Sequence, residues 1–65
     1  MKFALRLKGH GWEFVRRGVK RYDYDDEDTV RGLEGAELYV QQSEAEEAQD
    51  RHPAGESLMV EEVDA

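Results

Sequence analysis

Lys2-Phe3-Ala4-Leu5-Arg6-Leu7-Lys8, then Gly9-His10-Gly11, then Trp12-Glu13-Phe14-Val15-Arg16-Arg17 is the stretch on which the fold turns. Phe3, Leu5 and Leu7 alternate with Lys2, Ala4, Arg6 and Lys8, and Trp12 and Phe14 alternate with Glu13, Val15 and Arg17. An extended strand repeats every two residues, so two such runs across a glycine-rich break predict a β-hairpin with arms 2–8 and 11–17. A two-residue loop at Gly9-His10 suits a type II′ turn, which wants glycine at its first central position. That loop sets Leu7 opposite Trp12, Leu5 opposite Phe14 and Arg6 opposite Glu13, so that apolar residues meet on one face and opposite charges on the other. A slip of one residue would undo both matches, so the register is expected to be well specified.

Outward from the hairpin the pattern weakens. Gly18 marks a bulge or bend, and 19–24 either extends the second arm or forms a strand of its own. Asp25-Asp26-Glu27-Asp28 is a run of like charge that belongs in a solvated loop, and the two glycines of 29–35 favour an irregular path. Leu38 and Val40 alternate with Glu37 and Tyr39, which predicts a strand near 36–41. Ser43-Glu44-Ala45-Glu46 has the spacing of a capping box, in which a hydroxyl and a glutamate satisfy free N–H groups at a helix start. A helix near 43–52 comes next, ended by Pro53 and Gly55, with Ala45 and Ala48 as its apolar contacts. Acids in its first turn and Arg51 and His52 in its last suit the helix dipole. Ser57 to Val63 completes the chain as a strand near 57–63. The expected fold is α+β: one small antiparallel sheet and one short helix, in a single domain over 1–65.

Sixty-five residues bury a small share of their surface. Leu, Val and Phe number 13, with no Ile, and the net charge is −7. Without cysteine there is neither a disulfide framework nor a thiolate zinc site to compensate. Association, with a partner or a second copy in a homo-oligomer, is the remaining way to cover apolar surface. No segment approaches the ~20 consecutive apolar residues that span a bilayer. Met1 to Lys8 lacks the uninterrupted apolar run of a secretory leader, and the expected location is cytoplasmic.

The charge is strongly segregated. Residues 1–21 carry seven Lys and Arg against Glu13, a local +6, and residues 22–65 carry two against fifteen acids, a local −13. Either the basic hairpin lies against the acidic remainder and the two neutralise each other, or the two face apart and meet partners separately.

Chemistry that needs a built site finds little support. His10 in the turn and His52 at the helix end have no third nitrogen or sulfur ligand near them in sequence. Asp23, Asp25, Glu27 and Glu34 fall at positions 1, 3, 5 and 12 of a calcium-loop spacing, but Asp28 stands where that loop requires glycine. No phosphate-cradling glycine loop, cysteine nucleophile or Ser–His–acid spacing is present, so a non-catalytic protein without cofactor is expected. Three functions remain. The first is a protein-interaction module, of a size that fits a viral or mobile-element accessory protein, docking on a protein partner by a sheet edge or an apolar face. The second is an acidic nucleic-acid mimic acting through Asp25, Asp26, Glu27, Asp28, Glu44 and Glu47. The third is a nucleic-acid binder using Arg6, Arg16, Arg17, Lys20 and Arg21, which the −13 of the remainder opposes.

Overall fold

A computed structural model describes residues 1–18 and 29–64. The question of a strand at 19–24, and the side chains of Lys20, Arg21, Asp25, Asp26, Glu27 and Asp28, lie outside the described residues. The elements are β1 (Lys2–Leu7), β2 (Glu13–Val15), β3 (Thr29–Arg31), α1 (Gln42–Arg51), a 3-10 turn at Gly55–Ser57, and β4 (Leu58–Val63). The four strands form one antiparallel sheet in the order β3-β2-β1-β4, with one helix. This is the small α+β architecture expected from the sequence.

β1 and β2 are the two inner strands, and each carries apolar residues that bury on both faces. Ala4 and Leu5 are adjacent in sequence, point to opposite faces, and are both buried. Ala4 packs with Phe14, Ala36 and Val63, and Val30, Leu33 and Leu38 close over them. Leu5 packs with Val15, Ala45 and Leu58 on the other face, with Phe3, Leu7, Tyr39, Ala48 and Val60 around them. Residues 33–38 therefore cover one face and α1 the other.

Burial on both faces corrects the expected hairpin register. Arg6 lies opposite Phe14, one residue out of the Leu5–Phe14 pairing. The penalty for a slip exists only where one face meets water, and here both faces are covered, so Phe14 joins Ala4 while Val15 joins Leu5. The turn closes one residue earlier than expected, with the His10 N–H donating to the Leu7 carbonyl at 3.5 Å. Gly9 is its third residue, not its second. Gly9 and Gly11 have φ of +76° and +66°, a region that a side chain would strain, so both glycines of the break are used. The arms are also shorter than expected, and β2 ends at Val15.

Beyond Arg6 and Phe14 the hairpin splits, and residues 35–39 enter the gap. Phe3 and Tyr39 exchange two backbone hydrogen bonds, at 2.8 and 2.7 Å. Arg17 N–H donates to the Gly35 carbonyl at 2.7 Å and Glu37 N–H to the Val15 carbonyl at 3.0 Å. The strand expected near 36–41 is thus replaced by two isolated bridges, Arg16 with Ala36 and Phe3 with Tyr39. The segment passes between two diverging arms and meets each at one position. Conversely, 29–35 is not wholly irregular: Thr29–Arg31 pairs in register with β2, bringing Val30 opposite Phe14.

The helix starts one residue before the expected position. Gln41 is the N-cap, and Glu44 accepts its backbone N–H at 3.2 Å. The three-residue reach of a capping glutamate is therefore used, but by Gln41 and Glu44, which places Ser43 inside the first turn and away from the cap. Ala45 is buried and Ala48 half-buried. Gln49 ties the helix to the 3-10 turn and to β4, donating from Nε2 to the carbonyls of Gly55 (3.1 Å) and Leu58 (2.7 Å). Gly55 passes so close to the Gln49 carbonyl oxygen that a Cβ there would overlap it.

Candidate interaction surface

The hairpin end is built around an aromatic that the fold leaves uncovered. Trp12 lies in β2's lead-in, and its carbonyl accepts the Gly32 N–H at 2.9 Å, which fixes the backbone. Its ring meets the buried Phe14 ring edge to face, with centroids 4.9 Å apart at 86°. Even so Trp12 is 51 % exposed. The alternation that predicts Trp12 as a core partner of Leu7 assumes the unslipped register; in the observed register Trp12 falls just before β2 and stays exposed. With His10, Glu13, Arg31 and Gly32 it lines an open depression of about 540 Å³. The His10 imidazole Nδ1 lies 3.7 Å from the Glu13 carboxylate.

The basic residues separate into two groups. The Arg6 guanidinium turns inward along the sheet: Nε reaches Glu61 Oε1 at 2.7 Å, Nη1 the Gly11 carbonyl at 3.0 Å, and Nη2 the Met59 sulfur at 2.9 Å. One side chain thus ties the hairpin loop to β4. The acid it meets is Glu61, remote in sequence, and not the expected Glu13. Arg16 and Arg17 are exposed and have no ion pair to another described residue.

Among the acids, Glu44, Glu46, Glu47 and Asp50 are all exposed on α1. Glu47 lies 3.4 Å from Arg51 one turn on, and Glu46 accepts from Gln42 at 3.3 Å. Glu44 and Glu47 are thus on one element, as the mimic requires, while the other four residues of that expectation lie outside the described ones. Glu34, from the calcium-loop spacing, is exposed, and no group of three or more metal-ligating side chains comes together among the described residues. His52 is half-buried, and its Nδ1 accepts the Ala54 N–H at 3.0 Å, which shapes the chain reversal after α1.

Tyr39 has a displaced acidity. Burial pushes its phenol above the ordinary value of 10.0, the Glu37 carboxylate adds to this, and Arg51 acts in the opposite direction.

No family model matches the chain, and neither a curated protein nor a solved structure shows significant similarity to it. No helix among the described residues is long and apolar enough to cross a membrane.

Proposed function

We propose that this chain is a non-catalytic protein-interaction module that docks on a protein partner through the hairpin end around Trp12. The supporting observation is an indole that is half exposed and yet held, by Phe14 beneath it and by a backbone bond to Gly32. Tryptophan is among the residue types most enriched in the few side chains that dominate association energies. A ring already fixed in place also loses little freedom when a partner covers it, so more of the contact energy remains for binding. Around it His10, Glu13 and Arg31 supply the polar rim that such anchors usually have.

The test is affinity capture with the tagged chain and its Trp12→Ala variant, with and without nuclease, then titration of the recovered partner. A partner held by the native chain, resistant to nuclease, and weakened at least about tenfold by the variant supports the module, since removal of one central aromatic typically costs ~2 kcal/mol or more. Equal capture by both chains sinks the Trp12 site.

A second reading has its own observation, the exposed row Glu44, Glu46, Glu47 and Asp50 on α1. As a nucleic-acid mimic the chain would compete with duplex for its partner, with a steep salt dependence, and would lose that competition when the four become Gln and Asn.

A further inference from the structure

From the outer edge of β4 we infer a docking strand: the backbone of Val60 and Glu62 receives an extended, lysine- or arginine-rich segment of a protein partner by strand addition. The inference rests on the interaction-module reading but assigns a second surface, on the opposite edge of the sheet from β3.

The hydrogen-bond phase of β4 decides which groups are open. Phe3 gives both its N–H and its C=O to Tyr39, so neither faces β4. Lys8 N–H instead donates to the Ser57 carbonyl at 2.9 Å. In an antiparallel ladder such bonded pairs alternate. The bonded pairs between β1 and β4 are therefore Lys2 with Val63, Ala4 with Glu61, and Arg6 with Met59. Leu58, Val60 and Glu62 must then turn their backbone groups outward. Leu58 is closed from within the fold, because its N–H donates to the Gly55 carbonyl and its C=O accepts from Gln49. Val60 and Glu62 have no backbone partner on that side among the described residues. Two N–H and two C=O groups remain, at the spacing of one strand's ladder.

Charge selects the occupant. From Pro53 onward the chain carries Glu56, Glu61, Glu62 and Asp64 and no Lys or Arg. A second copy pairing antiparallel about a two-fold axis would bring two acidic segments together, with Glu61 or Glu62 opposite its own counterpart, which is unfavourable. The strand already seated on the inner edge shows what does fit: β1 alternates apolar residues with Lys2, Arg6 and Lys8, and Arg6 meets Glu61 at 2.7 Å. Glu62 is exposed and has no ion pair within the described residues. At that end of the sheet Met1, Glu62, Val63 and Asp64 line an open depression of about 380 Å³.

The test uses the whole chain, with uniform isotope labelling, and two synthetic eight-residue peptides, one alternating lysine with valine and one alternating glutamate with valine. The lysine peptide is expected to bind, to slow hydrogen exchange at the Val60 and Glu62 amides, and to weaken as salt is raised; the glutamate peptide is expected not to bind. Nα-methylation of Val60 in a synthesised chain removes one outward donor and leaves the β1–β4 bonds intact. It should weaken the lysine peptide at least tenfold while the amides of Met59 and Glu61 stay protected; Glu62→Pro serves as a second variant of the same design. Binding unaffected by both changes, or a lysine peptide that protects no edge amide, overturns the inference. So does a concentration-dependent dimer that protects Val60 and Glu62 by itself, which would make a second copy the occupant. In each of these cases capture through Trp12 would be untouched, so that failure at the edge and failure of the module as a whole are told apart.

Discussion

β1 has two neighbours, and they hold it very differently. β2 comes directly after it in the chain, yet the ladder between them is a single register pair, Arg6 with Phe14, before the arms split around residues 35–39. β4 comes some fifty residues later and pairs with β1 along its whole length, from Lys2–Val63 to Leu7–Leu58. The local hairpin is easy to nucleate because its loop is short, but its two arms pair over a single register position. The distant pairing costs more chain entropy to form and is where side chains from both faces and the helix meet. Stability in this chain is thus expected to depend on β4, while the hairpin end is left with the freedom to carry a contact residue.

The largest effect should come from Leu58→Ala. Leu58 is fully buried between β1, α1 and Val15. Loss of such a side chain typically costs ~2–5 kcal/mol, against a total of ~5–15 kcal/mol for a domain and less for a small one. Urea unfolding should show the variant largely or wholly unfolded at 25 °C. Trp12→Ala at the other end, where the ring is half exposed, should shift the midpoint far less. Comparable losses at the two positions would mean that the hairpin end contributes as much to stability as β4.

A smaller effect distinguishes the two acids that Arg6 could have met. A double-mutant cycle between Arg6→Met and Glu61→Gln should give a coupling of about 1 kcal/mol, since the pair is well aligned but partly exposed. The same cycle with Glu13→Gln should give a coupling near zero. Reversal of these two results would restore the register in which Arg6 faces Glu13 and would contradict the slip.

That slip shows where the sequence stops being legible. Alternation in 2–8 and 12–17 is enough to place a hairpin, and Pro53, Gly55 and the glutamate-rich start are enough to place a helix. Register is not legible, because alternation fixes it only when one face is wet, and no local pattern announces that Leu33, Ala36 and Leu38 will cover Ala4 and Phe14. The strand expected at 36–41 fails for a related reason: Leu38 and Val40 alternate correctly, but the segment is shared between two diverging arms. Within the candidate site, the unslipped register pairs Trp12 with Leu7, so an error of one residue in pairing turns an exposed residue into an apparent core residue. The outward phase of β4 depends on bonds at Phe3 and Lys8 and has no signature in the sequence.

The smallest effect tests the wedge that splits the hairpin. Tyr39 bonds Phe3 through its backbone and packs its ring among Leu5, Leu58 and Ala45. Because burial raises its phenol above 10.0, the folded chain holds that proton more tightly than the unfolded chain does. The unfolded state therefore loses the proton first as pH rises, and the stability that Tyr39 contributes is complete below pH 10.0 and is lost as pH climbs through the folded value. Urea midpoints taken from neutral to strongly alkaline pH should fall more steeply for the native chain than for Tyr39→Phe, which has no phenol to ionise. The difference between the two curves isolates Tyr39 from the other tyrosines, Tyr22 and Tyr24, and from the lysines. If the slopes coincide, the Tyr39 phenol is not shielded from solvent in the folded chain. If they diverge as expected, the ring is shielded at the point where the Tyr39 backbone bonds Phe3, and it is that bonded pair which turns the Phe3 backbone away from β4 and leaves Val60 and Glu62 facing outward.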